Sequence, residues 1–431
     1  MRVAWLVALA SCVTLTHAIT IQLEQRIPLG EAEFRTTFNR SYESASHNQR
    51  ATEPLGGDID RLGLYWMRIA VGTPPQNFVV HLDTGSSDLL IYDTTCDACS
   101  LIARRFDASQ SSSFAAFSCG APGYTCRNRA SVKCRTQECE IARTYSDGTW
   151  INGRAARDII TLSTFSTTAT VGLITSAAPK FEPPQIDGIF GLARSQLSAT
   201  QSPSVLVDFR TRFPSQWGDW FSLCLGHLGG YAQFGEAYDE RDFSWTPQVD
   251  TRGYYGVRIV RMQVRTSPSN AATLDVSSAT WGATTATLDS GSAMMYLSTP
   301  LYAAFIKRLQ AYCGAAFYAA NWPGICGGGS TLLAGRYATI TAAQFATFPT
   351  LEVFLSGLAT PIQLAPFDYL VPVSAHTTVG QTGYYYLGVR SLESRASVVY
   401  LGDVFMRNRI VMFDNVNNRV GFAAATSACG R

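Results

Sequence analysis

Lysine is nearly absent from this chain of 431 residues: Lys133, Lys180 and Lys307 are all there are, and the other basic residues are Arg. The net charge is only +2, which gives no nucleic-acid signal. Histidine is scarce as well. Once His17 leaves with the N-terminal stretch, only His47, His81, His227 and His376 remain, and they are scattered and read as structural. Neither His-Glu-x-x-His nor Gly-x-Ser-x-Gly occurs, so zinc and serine hydrolysis have no support and no metal or cofactor is expected. No run of eighteen apolar residues follows the N-terminal stretch, so the mature chain is expected to have no membrane anchor. Charged residues make up 15% and apolar residues 46%, values of a globular chain and not a disordered one.

What is present begins with Met1–Ala18, which has the form of a signal peptide. Arg2 is the positive end, Val3–Leu15 the mostly apolar stretch and Thr16-His17-Ala18 the small-residue exit. Residues 19–61 are polar, carry Arg26, Arg35, Arg40, Arg50 and Arg61, hold no Cys, and look separable from the rest. The one glycosylation sequon, Asn39-Arg40-Ser41, lies here. From Leu62 on, Val, Ile, Thr, Tyr and Phe alternate with frequent Gly and Pro, the texture of mostly β structure. The charged break Asp239-Glu240-Arg241-Asp242 divides this part into lobes of 62–240 and 241–431. Helix signals are few; the best are Pro203–Phe213 and Pro300–Tyr312, the second with Thr299 as N-cap.

One unit occurs twice. Phe78-Val79-Val80-His81-Leu82 runs into Asp83-Thr84-Gly85-Ser86-Ser87, and Thr285-Ala286-Thr287-Leu288 runs into Asp289-Ser290-Gly291-Ser292-Ala293. Each reads as a strand delivering a carboxylate into a glycine turn. Each is followed by an apolar-apolar-Gly strand, Ile189-Phe190-Gly191 and Tyr400-Leu401-Gly402, whose glycine lets backbone pass close to the turn. A single Asp-Thr-Gly is usually an ordinary turn. Two in matching contexts at lobe-length separation imply one Asp from each lobe at a shared seam, and carboxylates that share a proton can activate water.

Taken together the chain resembles the pepsin-like aspartic endopeptidases. The resemblance is carried by Val71-Gly72-Thr73-Pro74-Pro75-Gln76 ahead of the first Asp turn, Ile186-Asp187-Gly188-Ile189-Phe190-Gly191-Leu192, Leu401-Gly402-Asp403-Val404-Phe405-Met406-Arg407 and Val420-Gly421-Phe422-Ala423. It implies a bilobal fold with a central cleft, Asp83 and Asp289 as a catalytic dyad, and Thr84 and Ser290 cross-bracing the two turns. Gly85, Ser86, Gly291 and Ser292 would support the carboxylates. Arg26-Ile27-Pro28-Leu29 is similar to the start of the family's inhibitory prosegment, which makes 19–61 that prosegment. A secretory-pathway zymogen, secreted or in an acidic vesicle, follows, acting as a monomer on polypeptides.

A flap is implied at Tyr145-Ser146-Asp147-Gly148-Thr149-Trp150, with Tyr145 over the cleft and Gly148 in its turn. The pepsin Trp that bonds the flap tyrosine is replaced by Leu90, and Trp150 resembles the β-secretase-like arrangement, in which a flap Trp takes that role. Leu90, Tyr145, Trp150, Phe190, Met294, Met295 and Tyr296 are candidate cleft walls or core.

Once Cys12 leaves with the signal, ten cysteines remain, which allows up to five disulfides. Cys134 and Cys139 before the flap, and Cys224, are similar to the Cys-rich nepenthesin-type branch. The resemblance implies Cys313–Cys326 and Cys224–Cys429, and the local set Cys96–Cys99, Cys119–Cys126 and Cys134–Cys139 is the preferred completion. The rival reading is a catalytically inactive binding or inhibitor protein on the same fold. Such relatives usually lose an Asp or the following Gly, and both are intact here.

Overall fold

A computed structural model describes residues 51–58, 63–96, 99, 102, 104–117, 132–135, 138–179, 181, 185–200, 202–226, 229–235, 239–327, 329–373, 378–392 and 398–425. The expected signal peptide, the segment 19–50, the sequon and Cys119, Cys126 and Cys429 lie outside these residues, as does the side chain of Cys134.

The fold is mostly β and contains one strand arrangement twice. In the first copy the strand Gln76–Asp83 lies parallel to Gly188–Gly191, which is antiparallel to Leu89–Tyr92. In the second, Thr285–Leu288 lies parallel to Val398–Leu401, which is antiparallel to Met295–Ser298. In each copy the chain leaves its first strand through the Asp turn and returns on the far side of the third strand, so the turn is wrapped by its own lobe. Phe78 to Asp83 are all buried. Such continuous burial is the mark of a strand covered on both faces. The glycines closing the third strands are obligatory: a Cβ on Gly191 would fall 2.6 Å from the Asp88 nitrogen, and one on Gly402 would strike the Ser292 and Met294 carbonyls.

The lobes share one sheet. Trp220–Gly226 of the first lobe pairs with Arg409–Asp414 of the second, and Ser244–Pro247 pairs with Arg419–Ala424 at the edge of the same sheet. The strand Ala51–Asp58 belongs to this sheet as well. Its first five residues pair with Gly229–Phe234 and its last three with Leu64–Val71, and Leu55 is fully buried. The last part of the segment 19–61 is thus a paired strand of the shared sheet. Pro54, Gly56 and Gly57 hid this strand, since such residues normally argue against one; the switch of partner occurs at the glycine pair.

The expected helices are present as Val205–Arg212 and Thr299–Tyr312. Ser298, not Thr299, is the cap of the second, and Pro300 lies in its first turn. Disulfides join Cys96 to Cys99 and Cys313 to Cys326, and Cys139 and Cys224 are also disulfide-bonded. The main core runs through both lobes. A second cluster, which includes Leu90, Tyr92, Cys96, Cys139, Ile141, Ile151 and Ile189, lies in the N-terminal lobe with Tyr145 and Phe181 packed on it. Leu90, Phe190, Met294 and Met295 are buried in the core clusters. Among the described residues no helix is long and apolar enough to cross a membrane.

Candidate active site

The two Asp turns meet at the lobe junction and clasp each other reciprocally. The Thr84 hydroxyl donates to the Leu288 carbonyl at 2.9 Å and accepts from the Ser290 N–H at 2.9 Å. The Ser290 hydroxyl donates to the Leu82 carbonyl at 2.9 Å and accepts from the Thr84 N–H at 3.1 Å. Each hydroxyl thus satisfies one donor and one acceptor of the opposite lobe. Thr84 and Ser290 are both buried, so these groups have no water to replace the bonds.

Each carboxylate is held in the same way by its own turn. Asp83 Oδ1 accepts from the Gly85 N–H at 2.7 Å and its Oδ2 from the Ser86 hydroxyl. Asp289 Oδ1 accepts from the Gly291 N–H at 3.0 Å and its Oδ2 from the Ser292 hydroxyl at 2.9 Å. The glycines are required by the opposite carboxylate. A Cβ on Gly85 would lie 2.5 Å from Asp289 Oδ1, and one on Gly291 would lie 2.5 Å from Asp83 Oδ1. The two turns are therefore in contact through their glycines, with the carboxyl groups side by side. Burial pushes the Asp289 carboxyl well above the ordinary Asp range, and the adjacent Asp83 charge pushes it further. The hydrogen bonds from Ser292 and Gly291 oppose this without cancelling it. Such a pair keeps a proton at a pH where a free Asp has lost it.

The strands Glu138–Thr144 and Trp150–Leu162 form a hairpin. The Tyr145 N–H donates to the Thr149 carbonyl at 2.8 Å, and Gly148 carries the turn at φ +86°. Asp147 Oδ1 accepts from the Thr149 N–H and hydroxyl at 2.9 and 2.7 Å. Among the described contacts there is no bond from Trp150 to Tyr145. Thr144 pairs with Trp150, and side chains alternate across a strand, so Tyr145 and Trp150 project from opposite faces of the hairpin. Trp150 is 40% exposed. The ring against Tyr145 is Phe181, with centroids 5.0 Å apart. Nothing in the local pattern marks Phe181, which comes from beyond the next strand.

Other residues that the sequence reading missed hold the first Asp turn and the hairpin in place. Arg143, on the same face of the hairpin as Tyr145, donates to Asp88 Oδ2 at 2.9 Å and to the Leu197 carbonyl. Asp88 Oδ1 also accepts from the Ser198 hydroxyl at 2.8 Å. One carboxylate next to the Asp83 turn thus ties the base of the hairpin to the segment after Gly191. Asp187 is fully buried, and its Oδ2 accepts from the Val79 N–H and from Arg104 Nε, both at 2.7 Å. Burial raises its carboxyl to about 6 against those bonds. It fastens the strand that delivers Asp83. Among the described residues no group of His, Cys, Asp and Glu could hold a metal ion.

The family model for eukaryotic aspartyl protease matches residues 64–425 of this chain. The chain is 26% identical over 394 residues to pepsin II-1 of Oryctolagus cuniculus, which covers 87% of this chain and 84% of the relative. It is 27% identical over 414 residues to chymosin of Camelus dromedarius, with 94% and 91% covered. Against aspartic proteinase 39 of Arabidopsis thaliana the identity is 23% over 410 residues, with 89% and 80% covered.

Proposed function

The chain belongs to the eukaryotic aspartyl protease family and is an aspartic-type endopeptidase, and from that premise we propose that Asp83 and Asp289 hydrolyse peptide bonds by activating one water. The observation that carries this reading is the matched support of two touching Asp turns, each carboxylate held by a glycine N–H and a serine hydroxyl. The pair holds one proton. One carboxylate takes a proton from water as the oxygen adds to the scissile carbonyl, and the protonated partner donates to the carbonyl oxygen. The tetrahedral intermediate collapses when the leaving nitrogen receives a proton from the dyad. Tyr145 and the hairpin that carries it act as the flap that closes over an extended polypeptide.

We read residues 1–18 as a signal peptide and the segment ahead of Ala51 as an inhibitory prosegment, in a protein of the secretory pathway that works in an acidic vesicle or outside the cell. The woven position of Ala51–Asp58 favours a releasing cut before that strand, since a cut at 61 would leave part of the shared sheet unattached.

The test is peptide cleavage by the purified chain and by Asp83→Asn and Asp289→Asn. Each substitution keeps the turn's shape and removes the shared proton's partner. Both variants are expected to be inactive while folded. Substantial cleavage by either would overturn the dyad, and a folded, processed wild-type chain that cleaves no member of a random peptide library would favour a binding protein on this fold.

A further inference from the structure

The two halves of the clasp are not equivalent, and the difference is His81. It lies two residues before Asp83 on the same strand, is buried, and its Nε2 stands 3.3 Å from the Ser290 carbonyl oxygen of the other lobe. A carbonyl only accepts, so Nε2 carries the proton in this contact. The acceptor is not an isolated oxygen. The Ser290 C=O and the Gly291 N–H belong to one planar peptide group, and that N–H is the donor to Asp289 Oδ1 at 3.0 Å. His81, the peptide and the Asp289 carboxylate therefore form one chain of hydrogen bonds across the lobe seam.

Bonds in such a chain polarise one another. Withdrawing charge from the carbonyl oxygen makes the N–H on the same peptide a stronger donor. The first lobe has no counterpart. The position two residues before Asp289 is Thr287, and among the described residues no side chain donates to the Thr84 carbonyl, whose peptide supplies the Gly85 N–H.

We propose that His81 is a positioning residue for the reaction, which strengthens the hydrogen bond that Asp289 receives from Gly291 and so makes the two dyad carboxylates unequal. The proposal rests on the dyad reading above. His81 faces Trp66 on one neighbouring strand and Ile189 on the other. The charged and titratable groups on the elements packed around it are Tyr65 and Arg68 on the strand Leu64–Val71, Asp187 just before Gly188, Asp83 on its own strand, and Asp289; the Tyr65 hydroxyl is taken up by the Gly226 carbonyl. A stronger donor favours the ionised carboxylate, so losing it lets the dyad keep its proton to higher pH.

The experiment is the pH profile of kcat/KM for the processed enzyme and for His81→Leu and His81→Gln, on one peptide substrate. Both limbs of His81→Leu are expected to move to higher pH by roughly 0.3 unit or more, about a twofold change in proton affinity. His81→Gln, which keeps an N–H donor, is expected to lie nearer wild type. A merely structural role would lower activity at every pH and leave the limbs in place. Unmoved limbs in an active His81→Leu, or an equal shift in His81→Gln, would overturn the proposal. If His81→Leu does not fold, His81→Met makes the same comparison. Asp289→Asn is run alongside: its activity would refute the dyad itself, whatever His81 does.

Discussion

Replacing Thr84 by Val removes one oxygen and almost no volume, and it tests whether the two lobes are joined through their Asp turns. The hydroxyl serves two buried backbone groups of the other lobe, the Leu288 carbonyl and the Ser290 N–H. Valine can satisfy neither, and no solvent reaches them. A buried polar group left without a partner costs about 1–3 kcal/mol, so two put the loss at about 2–4 kcal/mol once partial relaxation is allowed. The same arithmetic applies to Ser290→Ala, which orphans the Leu82 carbonyl and the Thr84 N–H. The double variant should cost less than the sum, because either loss already frees the two turns to separate. Urea unfolding of the processed enzyme and the three variants measures this cycle, with kcat/KM recorded on the same samples. Activity should fall in each single variant, since the carboxylates ride on the turns being loosened. A Thr84→Val loss below about 0.5 kcal/mol, or strict additivity in the double variant, would show that the clasp is not what joins the lobes.

Stability should peak on the acid side. Burial raises Asp187 and Asp208 from the ordinary 3.8 to about 6, and Asp289 is raised too. The folded chain therefore binds more protons than the unfolded one between about pH 4 and 6, and stability drops as pH rises through that window. Glu352 works in the opposite sense. Burial alone would raise it, but hydrogen bonds from Arg265, Gln263 and Gln363 bring it below its ordinary value, so its contribution is lost as pH falls below about 4.5. Thermal unfolding from pH 3 to 7 should show a maximum near pH 4–5, and a Tm that climbs steadily to pH 7 would contradict this. In the proposed flap, Trp150→Ala should leave kcat/KM within about twofold of wild type, because its exposed ring is on the face of the hairpin opposite Tyr145. Phe181→Ala should raise KM severalfold by removing the ring beside Tyr145. Steady-state kinetics on one peptide separates them, and the reverse ranking would restore Trp150 as the partner of the flap tyrosine.

Much of this protein is written in short stretches of chain. Asp83-Thr84-Gly85 and Asp289-Ser290-Gly291 are local: a carboxylate, a hydroxyl and a residue without a side chain in fixed order, and their chemistry follows from that order. The glycines of Gly191 and Gly402, the flap turn at Asp147-Gly148 and the two best helices are local in the same sense. The strand Ala51–Asp58 was not legible, because Pro54, Gly56 and Gly57 deny it any strand pattern and its pairing partners supply the whole reason for its shape.

Tertiary structure decided everything that depends on which face a side chain takes and what stands opposite. Tyr145 and Trp150 are five residues apart in sequence, yet strand alternation sends them to opposite sides of the hairpin. Phe181, Arg143 with Asp88, and Asp187 with Arg104 act through contacts between segments 36 to 83 residues apart, which carry no periodic signal. His81 looks like any other strand residue until the second lobe brings the Ser290 carbonyl to it. A hydrogen bond is set by distances of a few tenths of an ångström. Residue order can supply the donor and the acceptor, but only the packed fold brings them within reach.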